Sequence, residues 1–113
     1  MKKPAWAHYK NNKVRWERLV LHFKFLTEAE KEHGSLWCEY CGKEKLVVYP
    51  WDIKPDRSKM ATVDHFLPKS KYPDLANETT NFVIACSVCN EKKKDDLWEE
   101  DTIKYSRKNI INK

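Results

Sequence analysis

Four cysteines, arranged as two Cys-x-x-Cys pairs, constrain the fold of this chain more than any other feature. The pairs are Cys38–Cys41 and Cys86–Cys89, and they use every cysteine in the sequence. Two such pairs complete a tetrahedral thiolate shell around one structural zinc ion. Because 44 residues separate the pairs, a shared zinc would join the middle of the chain to its last predicted helix. Four reduced core thiols or a redox dithiol are the alternatives.

The size of the chain makes a structural metal useful. With 113 residues there is room for one domain, and its core is small. A composition that is 41% hydrophobic and 35% charged excludes disordered and collagen-like classes. No apolar run approaches the ~20 residues that span a bilayer, and no signal peptide is seen. We therefore expect a cytoplasmic protein without a membrane partner, in which Cys-x-x-Cys pairs stay reduced and bind metal.

Hydrophobic spacing predicts a small α+β domain. One amphipathic helix is predicted over residues 12–32, with Gly34 as its stop, because apolar residues recur every three or four positions at Trp16, Leu19, Val20, Phe23 and Leu26. A tight knuckle is predicted around the first cysteine pair. The elements expected after it are strands at 46–49, 61–66 and 82–85, a loop at 68–80, and a helix from Ser87 to about Trp98.

A second group of polar residues lies close to the cysteines in sequence. Asp64 and His65 lie in a predicted strand, and Asn90 directly follows the second cysteine pair. On a helix starting near Cys86, Cys89 and Asn90 point about 100° apart, so the amide oxygen can serve a different site from the thiolate. Carboxylate and amide oxygens suit Mg²⁺, and a histidine can accept a proton from water. Neighbours on a strand face opposite ways, so Asp64 and His65 share a site only where the strand ends or bulges.

Two segments together resemble the HNH endonuclease motif. They are residues 64–70 (DHFLPKS) and 81–93 (NFVIACSVCNEKK), and their order, spacing and residue types agree with the motif. The resemblance covers about residues 38–95. It implies a ββα-metal finger, in which a hairpin and a helix bind one catalytic divalent ion. It also implies the branch of the family in which a structural zinc ion holds the fold together. The usual Gly-Gly is replaced by residues 71–73 (KYP), so this loop must turn differently.

The resemblance also implies a role for each motif residue. Asp64 corresponds to the metal-binding acid, His65 to the general base, and Asn81 to the middle asparagine that orients the loop or the histidine. Asn90 corresponds to the second ligand of a catalytic Mg²⁺ or Mn²⁺ ion. Lys93 stands where the family often carries a lysine, near the scissile phosphate. A solvated lysine within a charged run is the alternative for that position.

Charge is concentrated at the two ends of the chain. The net charge is +5, with +4 in residues 1–33, −4 in residues 60–101 and +4 in residues 102–113. Basic ends suit a polyanion such as DNA, although ordinary solubility charge has the same pattern. The candidates for DNA contact are Lys69, Lys71, Lys93, Lys104, Arg107 and Lys108.

These observations predict a metal-dependent HNH endonuclease that hydrolyses DNA and leaves 5′-phosphate and 3′-hydroxyl ends. The expected single domain divides into a basic arm and helix (1–37), a zinc-stapled core (38–95) and a basic C-terminal extension (96–113). A homodimer or a larger nuclease complex is compatible with its size. The alternative is a non-catalytic zinc module that binds nucleic acid, which would not need the Asp64, His65, Asn81 and Asn90 set.

Overall fold

The first long element is a helix that ends where the sequence predicted. The computed structural model describes residues 2–108, so residues 109–113 of the predicted basic extension lie outside the described residues. Helix α1 spans Lys13–His33, and Gly34 ends it with a left-handed φ of 80° while its N–H bonds to the Glu30 carbonyl at 2.8 Å. Trp16 and Leu26 of the predicted apolar face are buried. Leu19 is 36% exposed, and it lines an apolar cavity together with residues of the loop at 48–55.

The centre of the fold is a two-stranded antiparallel hairpin followed at once by a helix. Strand β1 spans Ala61–His65 and strand β2 spans Phe82–Cys86. Their register pairs Ala61 with Cys86 and His65 with Phe82. Every residue of β2 is buried, as expected for a continuous apolar run. Helix α2 spans Ser87–Lys93, which completes a ββα unit and confirms the predicted α+β class.

Two predicted elements are shorter than expected. Residues 46–49 do not form a strand: Leu46 and Val47 each make one isolated bridge, to Leu36 and Met60. A strand needs a partner over several residues, and each of these two finds a different neighbour. Helix α2 ends at Lys93 instead of near Trp98, because Lys94 has a positive φ of 45°. The chain turns back there, and the Trp98 ring packs edge-on against Tyr40 with centroids 4.9 Å apart.

Both ends of the described chain pack on the core. The Trp6 ring contacts Trp16 with centroids 6.4 Å apart, so the N-terminal arm lies against α1. The Trp37 indole N–H donates to the Tyr105 carbonyl at 2.6 Å, which fixes the C-terminal extension beside the knuckle. No helix within residues 2–108 has the length and apolarity to cross a membrane.

Candidate active site

The four cysteines come together into one group that can bind zinc. All four Sγ atoms lie within 4.8 Å of one another, and those of Cys41 and Cys86 are 3.8 Å apart. Sulfurs about 2.3 Å from a tetrahedral zinc would be separated by roughly 3.8 Å, so the spacing fits the ion. The Cys86 side chain also caps α2 by accepting the Cys89 N–H at 3.5 Å. The second pair therefore starts the helix and presents its sulfurs to the first pair.

The spacer inside the first cysteine pair anchors the knuckle to the hairpin. Glu39 is buried, and its carboxylate accepts the Ile84 backbone N–H at 2.6 Å. It also forms a 2.6 Å ion pair with the buried Arg107 guanidinium. Glu39 thus joins the knuckle, strand β2 and the C-terminal extension.

Asp64 lies buried between the knuckle and helix α2. The Tyr40 hydroxyl donates to its carboxylate at 2.5 Å, and the Lys93 ammonium lies 3.4 Å from the same oxygen. Burial raises the pKa of Asp64, while Tyr40 and Lys93 oppose that rise. Burial and the Asp64 carboxylate in turn raise the pKa of Tyr40, so its hydroxyl stays protonated and donates.

His65 ends β1 and is oriented by a backbone carbonyl. Its Nε2 lies 2.7 Å from the Ala76 carbonyl oxygen. Because a carbonyl only accepts, Nε2 carries the proton, and in the neutral ring Nδ1 keeps a free lone pair. Burial lowers the pKa of His65, and the Ala76 hydrogen bond opposes that shift. The arrangement gives a neutral imidazole with one nitrogen able to take a proton.

Asp64 and His65 point away from each other, as neighbours on a strand must. Asp64 contacts Tyr40 and Lys93, while the His65 ring packs on Phe82, with centroids 5.3 Å apart, and on His22 of α1. Both are the last residues of β1. A group bound across the end of this strand could therefore meet the two side chains from opposite sides.

Asn81 fixes the backbone that follows His65. Its side chain accepts the Leu67 N–H at 2.9 Å and donates to the Leu67 carbonyl at 3.0 Å. Its own carbonyl accepts the Phe66 N–H at 3.0 Å. Of the two predicted tasks, orienting the loop is the one these bonds perform.

Asn90 lies on the same side of the hairpin as Asp64. Its amide nitrogen donates to the Thr62 hydroxyl at 2.9 Å, and Thr62 precedes Asp64 by two residues on β1, so the two share a face. The bond to Thr62 uses the nitrogen, which leaves the amide oxygen for another partner. Asp64 and Asn90 together offer hard oxygen donors of the kind that fits Mg²⁺ or Mn²⁺.

The comparison with known families agrees with this geometry. The profile of the HNH endonuclease family matches residues 38–96, which is more than half of the chain. The chain belongs to the HNH endonuclease family. Membership gives it a nuclease-like or nucleic-acid-binding function, and the matched segment of this HNH chain runs from Cys38 to just beyond α2.

A curated protein is similar to part of the chain. The Septu protein PtuB of Bacillus thuringiensis is 45% identical over 38 residues, which is 34% of this HNH chain and 15% of PtuB. The chain thus matches only a small part of that relative's length. No solved structure matches the chain.

The predicted DNA-contacting residues of the HNH chain fall into two groups. Lys69, Lys71, Lys104 and Lys108 are exposed. Lys93 and Arg107 are buried and paired with the carboxylates of Asp64 and Glu39. Lys93 is fully buried and donates to the His65 carbonyl at 2.8 Å, so the alternative of a solvated lysine is wrong. These two cations hold the HNH core together, and their burial in ion pairs keeps them from contacting DNA.

Some residues around the HNH site were not expected from the sequence. Tyr40 contacts Asp64 from within the Cys-x-x-Cys spacer, and His22 contacts His65 from α1. The sequence does place His22 on the apolar side of an amphipathic helix, where a polar residue is unusual and can mark a functional position.

Proposed function

We propose that this chain is a metal-dependent endonuclease that hydrolyses DNA phosphodiester bonds, with His65 as general base. The observation that carries the proposal is the 2.7 Å contact from His65 Nε2 to the Ala76 carbonyl. It holds the ring in the tautomer whose Nδ1 can accept a proton, at the end of the strand that also carries Asp64. A module that only binds nucleic acid has no need for a histidine held in this way.

Three residues have separate roles in the proposed hydrolysis: His65, Asn81 and Lys93. His65 Nδ1 takes a proton from water, and the resulting hydroxide attacks phosphorus in line with the leaving 3′ oxygen. Asn81 keeps the backbone after His65 in place through its two bonds to Leu67. Lys93 links Asp64 to the His65 carbonyl, which fixes the distance between the base and the carboxylate. The expected products carry 5′-phosphate and 3′-hydroxyl ends.

Asp64 and Asn90 would hold the catalytic divalent ion. Bound there, Mg²⁺ or Mn²⁺ would supply stabilisation of the charge that develops on the phosphate and on the leaving oxygen. The four cysteines would hold a separate structural zinc, and a reducing compartment such as the cytoplasm keeps their thiols available for it.

The DNA backbone would be bound by the exposed lysines at positions 69, 71, 104 and 108. Contacts of lysine with phosphate bring affinity without reading sequence. One active site cuts one strand at a time, so a double-strand break would require a homodimer, a larger complex or two encounters. We propose that the whole chain works as one nuclease domain.

The deciding experiment compares the wild type with His65→Ala on supercoiled plasmid in Mg²⁺, Mn²⁺ or EDTA. The variant should lose about 10²–10⁴-fold in nicking rate, the usual cost of removing a general base. Its zinc content and its binding to DNA should match the wild type. Asp64→Asn should also be slow, but higher Mg²⁺ or Mn²⁺ should restore part of its activity and none of the activity of His65→Ala.

Equal nicking by the wild type and His65→Ala would reject His65 as the base. It would favour the second candidate, a non-catalytic zinc module that binds nucleic acid. The zinc group and the basic residues support that candidate equally well, and the His65–Ala76 contact is what separates the two.

A further inference from the structure

Two side chains of helix α1 lie beside the proposed base although they fall outside the matched segment. The His22 ring is 5.6 Å from the His65 ring and 5.1 Å from the Phe82 ring, measured between centroids. Arg18 precedes His22 by four residues and so lies on the same face of α1. Helix α1 therefore forms a second wall next to His65, opposite the side on which Asp64 meets α2.

Both side chains have a buried polar atom without a protein partner. Arg18 Nε and His22 Nε2 are inaccessible to solvent, and no residue in the range 2–108 forms a hydrogen bond with either. Buried polar atoms in native proteins are nearly always satisfied, so each exception calls for an explanation, such as a functional role or a bound ion. Two such atoms on one helix face, next to a candidate catalytic group, point to one ligand that satisfies both.

The charge around these atoms selects an anion. Arg18 and Lys69 are both cationic, and within the described part of the chain neither forms a salt bridge. Burial lowers the pKa of His22 most, and the charges of His65, Lys69 and Arg18 lower it further. A cation would be repelled here, whereas an anionic oxygen would relieve the repulsion.

We propose that Arg18 and His22 bind the non-bridging oxygens of a DNA backbone phosphate beside His65, with Lys69 closing the site. Because both atoms are closed to solvent in the free chain, the two side chains turn outward on binding. Arg18 then donates from its guanidinium, and neutral His22 donates from Nε2. The inference rests on the proposed nuclease function and adds to it a phosphate site built from α1. It brings the face of α1 that carries Arg18 and His22 into the active site, so that the helix is not only a packing element.

Four variants test the site. Arg18→Gln removes the charge and keeps the length, and Arg18→Lys keeps the charge without the Nε donor. His22→Phe keeps the ring packed on Phe82 and removes Nε2. Lys24→Gln is the matched control, because it removes one charge from an exposed position on the same helix. Zinc content and melting temperature are checked for each protein.

Nicking should fall roughly 10- to 100-fold in Arg18→Gln and about 10-fold in His22→Phe, which is the usual effect of losing a hydrogen bond to an anion. Arg18→Lys should recover part of the loss, and Lys24→Gln should stay within about twofold of the wild type. In ¹⁵N spectra of the wild type without divalent metal, the Arg18 Nε–H resonance should shift when duplex DNA is added. That shift is a readout that a purely structural arginine would not give.

The outcomes separate this inference from the proposed function. If His65→Ala is inactive while Arg18→Gln and His22→Phe nick like Lys24→Gln, and the Arg18 resonance does not move, the phosphate site is wrong and the nuclease stands. If His65→Ala nicks normally, the proposed function fails, and the Arg18 resonance alone decides whether phosphate binds here. If Arg18→Gln does not fold, the Arg18→Lys rate and the same resonance decide.

Discussion

The Tyr40 hydroxyl lies 2.5 Å from the Asp64 carboxylate and donates to it. Tyr40 sits between two of the cysteines that can bind zinc, and Asp64 directly precedes the proposed base at the end of β1. This bond joins the spacer of the first cysteine pair directly to the proposed catalytic site. It opposes the rise that burial imposes on the pKa of Asp64, and so helps to keep a buried carboxylate ionised and able to bind a cation.

Tyr40→Phe should therefore weaken the catalytic metal site without disturbing zinc. Losing a hydrogen bond to a buried carboxylate costs about 1.5–3 kcal/mol, so the Mg²⁺ concentration for half-maximal nicking should rise about tenfold or more. The phenylalanine ring keeps the packing against Trp98. The measurement is a Mg²⁺ titration of nicking, with zinc content determined in parallel and Tyr49→Phe as the control. An unchanged titration would show that the bond has no bearing on the metal.

Cys86→Ser should remove zinc and much of the stability. We expect one zinc per chain in the wild type by elemental analysis, and none or a weakly held ion in the variant. Metal binding is coupled to folding in small domains, so the melting temperature should fall sharply, as it should when a chelator strips the wild type. Val88→Ser, an exposed change between the same two cysteines, should keep both zinc and melting temperature. A stable wild-type protein that contains no zinc would contradict the zinc assignment.

The basic residues of the C-terminal extension should separate into one that stabilises the fold and two that bind DNA. Arg107→Ala breaks a buried ion pair with Glu39 and should cost about 3–5 kcal/mol in unfolding free energy. Lys104→Ala and Lys108→Ala change exposed positions and should alter stability by no more than about 0.5 kcal/mol.

DNA binding measured against salt distinguishes the two kinds of residue. If Lys104 and Lys108 each contact a phosphate, each alanine variant should reduce the salt slope by about 1. A salt slope that stays the same in the double variant would assign both lysines to solubility.

His22 should make the protein less stable in mild acid. Burial lowers its pKa from 6.5 to about 4, so below pH 6.5 the unfolded chain binds this proton and the folded chain does not. The unfolding free energy is therefore undiminished by His22 above pH 6.5, and it decreases as the pH falls towards 4. The half-buried ring is partly screened by solvent, so the loss should be on the order of 1–2 kcal/mol.

Urea unfolding of the wild type and His22→Phe at pH 7 and at pH 5 isolates the loss of unfolding free energy that comes from His22. The wild type should lose more stability than the variant over that interval. Equal losses would mean that the His22 ring titrates as it does in the unfolded chain.

Much of the fold could be predicted from local patterns. The spacing of apolar residues and Gly34 located α1, and the apolar run at Phe82 located β2. The segment around Val47 has the composition of a strand, but pairing depends on distant partners, and Leu46 and Val47 bridge to two different neighbours, Leu36 and Met60. The end of α2 was misplaced for a similar reason, because the Trp98–Tyr40 contact that turns the chain back joins residues far apart in sequence.

The parts of the candidate site that could be predicted are those whose residues recur at a fixed spacing in the sequence. The four cysteines and the motif residues Asp64, His65 and Asn90 have fixed positions relative to one another. Arg18, Glu39 and Tyr40 belong to no such pattern, because their importance comes from contacts with partners 24 or more residues away or from a missing partner. Arg107 was misassigned because its positive charge is visible in the sequence and its buried partner is not.

The position of Glu39 and Tyr40 has a consequence for which substitutions the protein can accept. The sulfurs are the zinc ligands of a Cys-x-x-Cys pair, so metal binding itself places no demand on the two side chains between them. In this chain the first spacer bonds to β2 and to Asp64, whereas Val88 of the second spacer is 54% exposed. A library of random substitutions selected for nuclease activity should therefore retain little diversity at positions 39 and 40 and much more at position 88, although all three lie inside the same kind of motif.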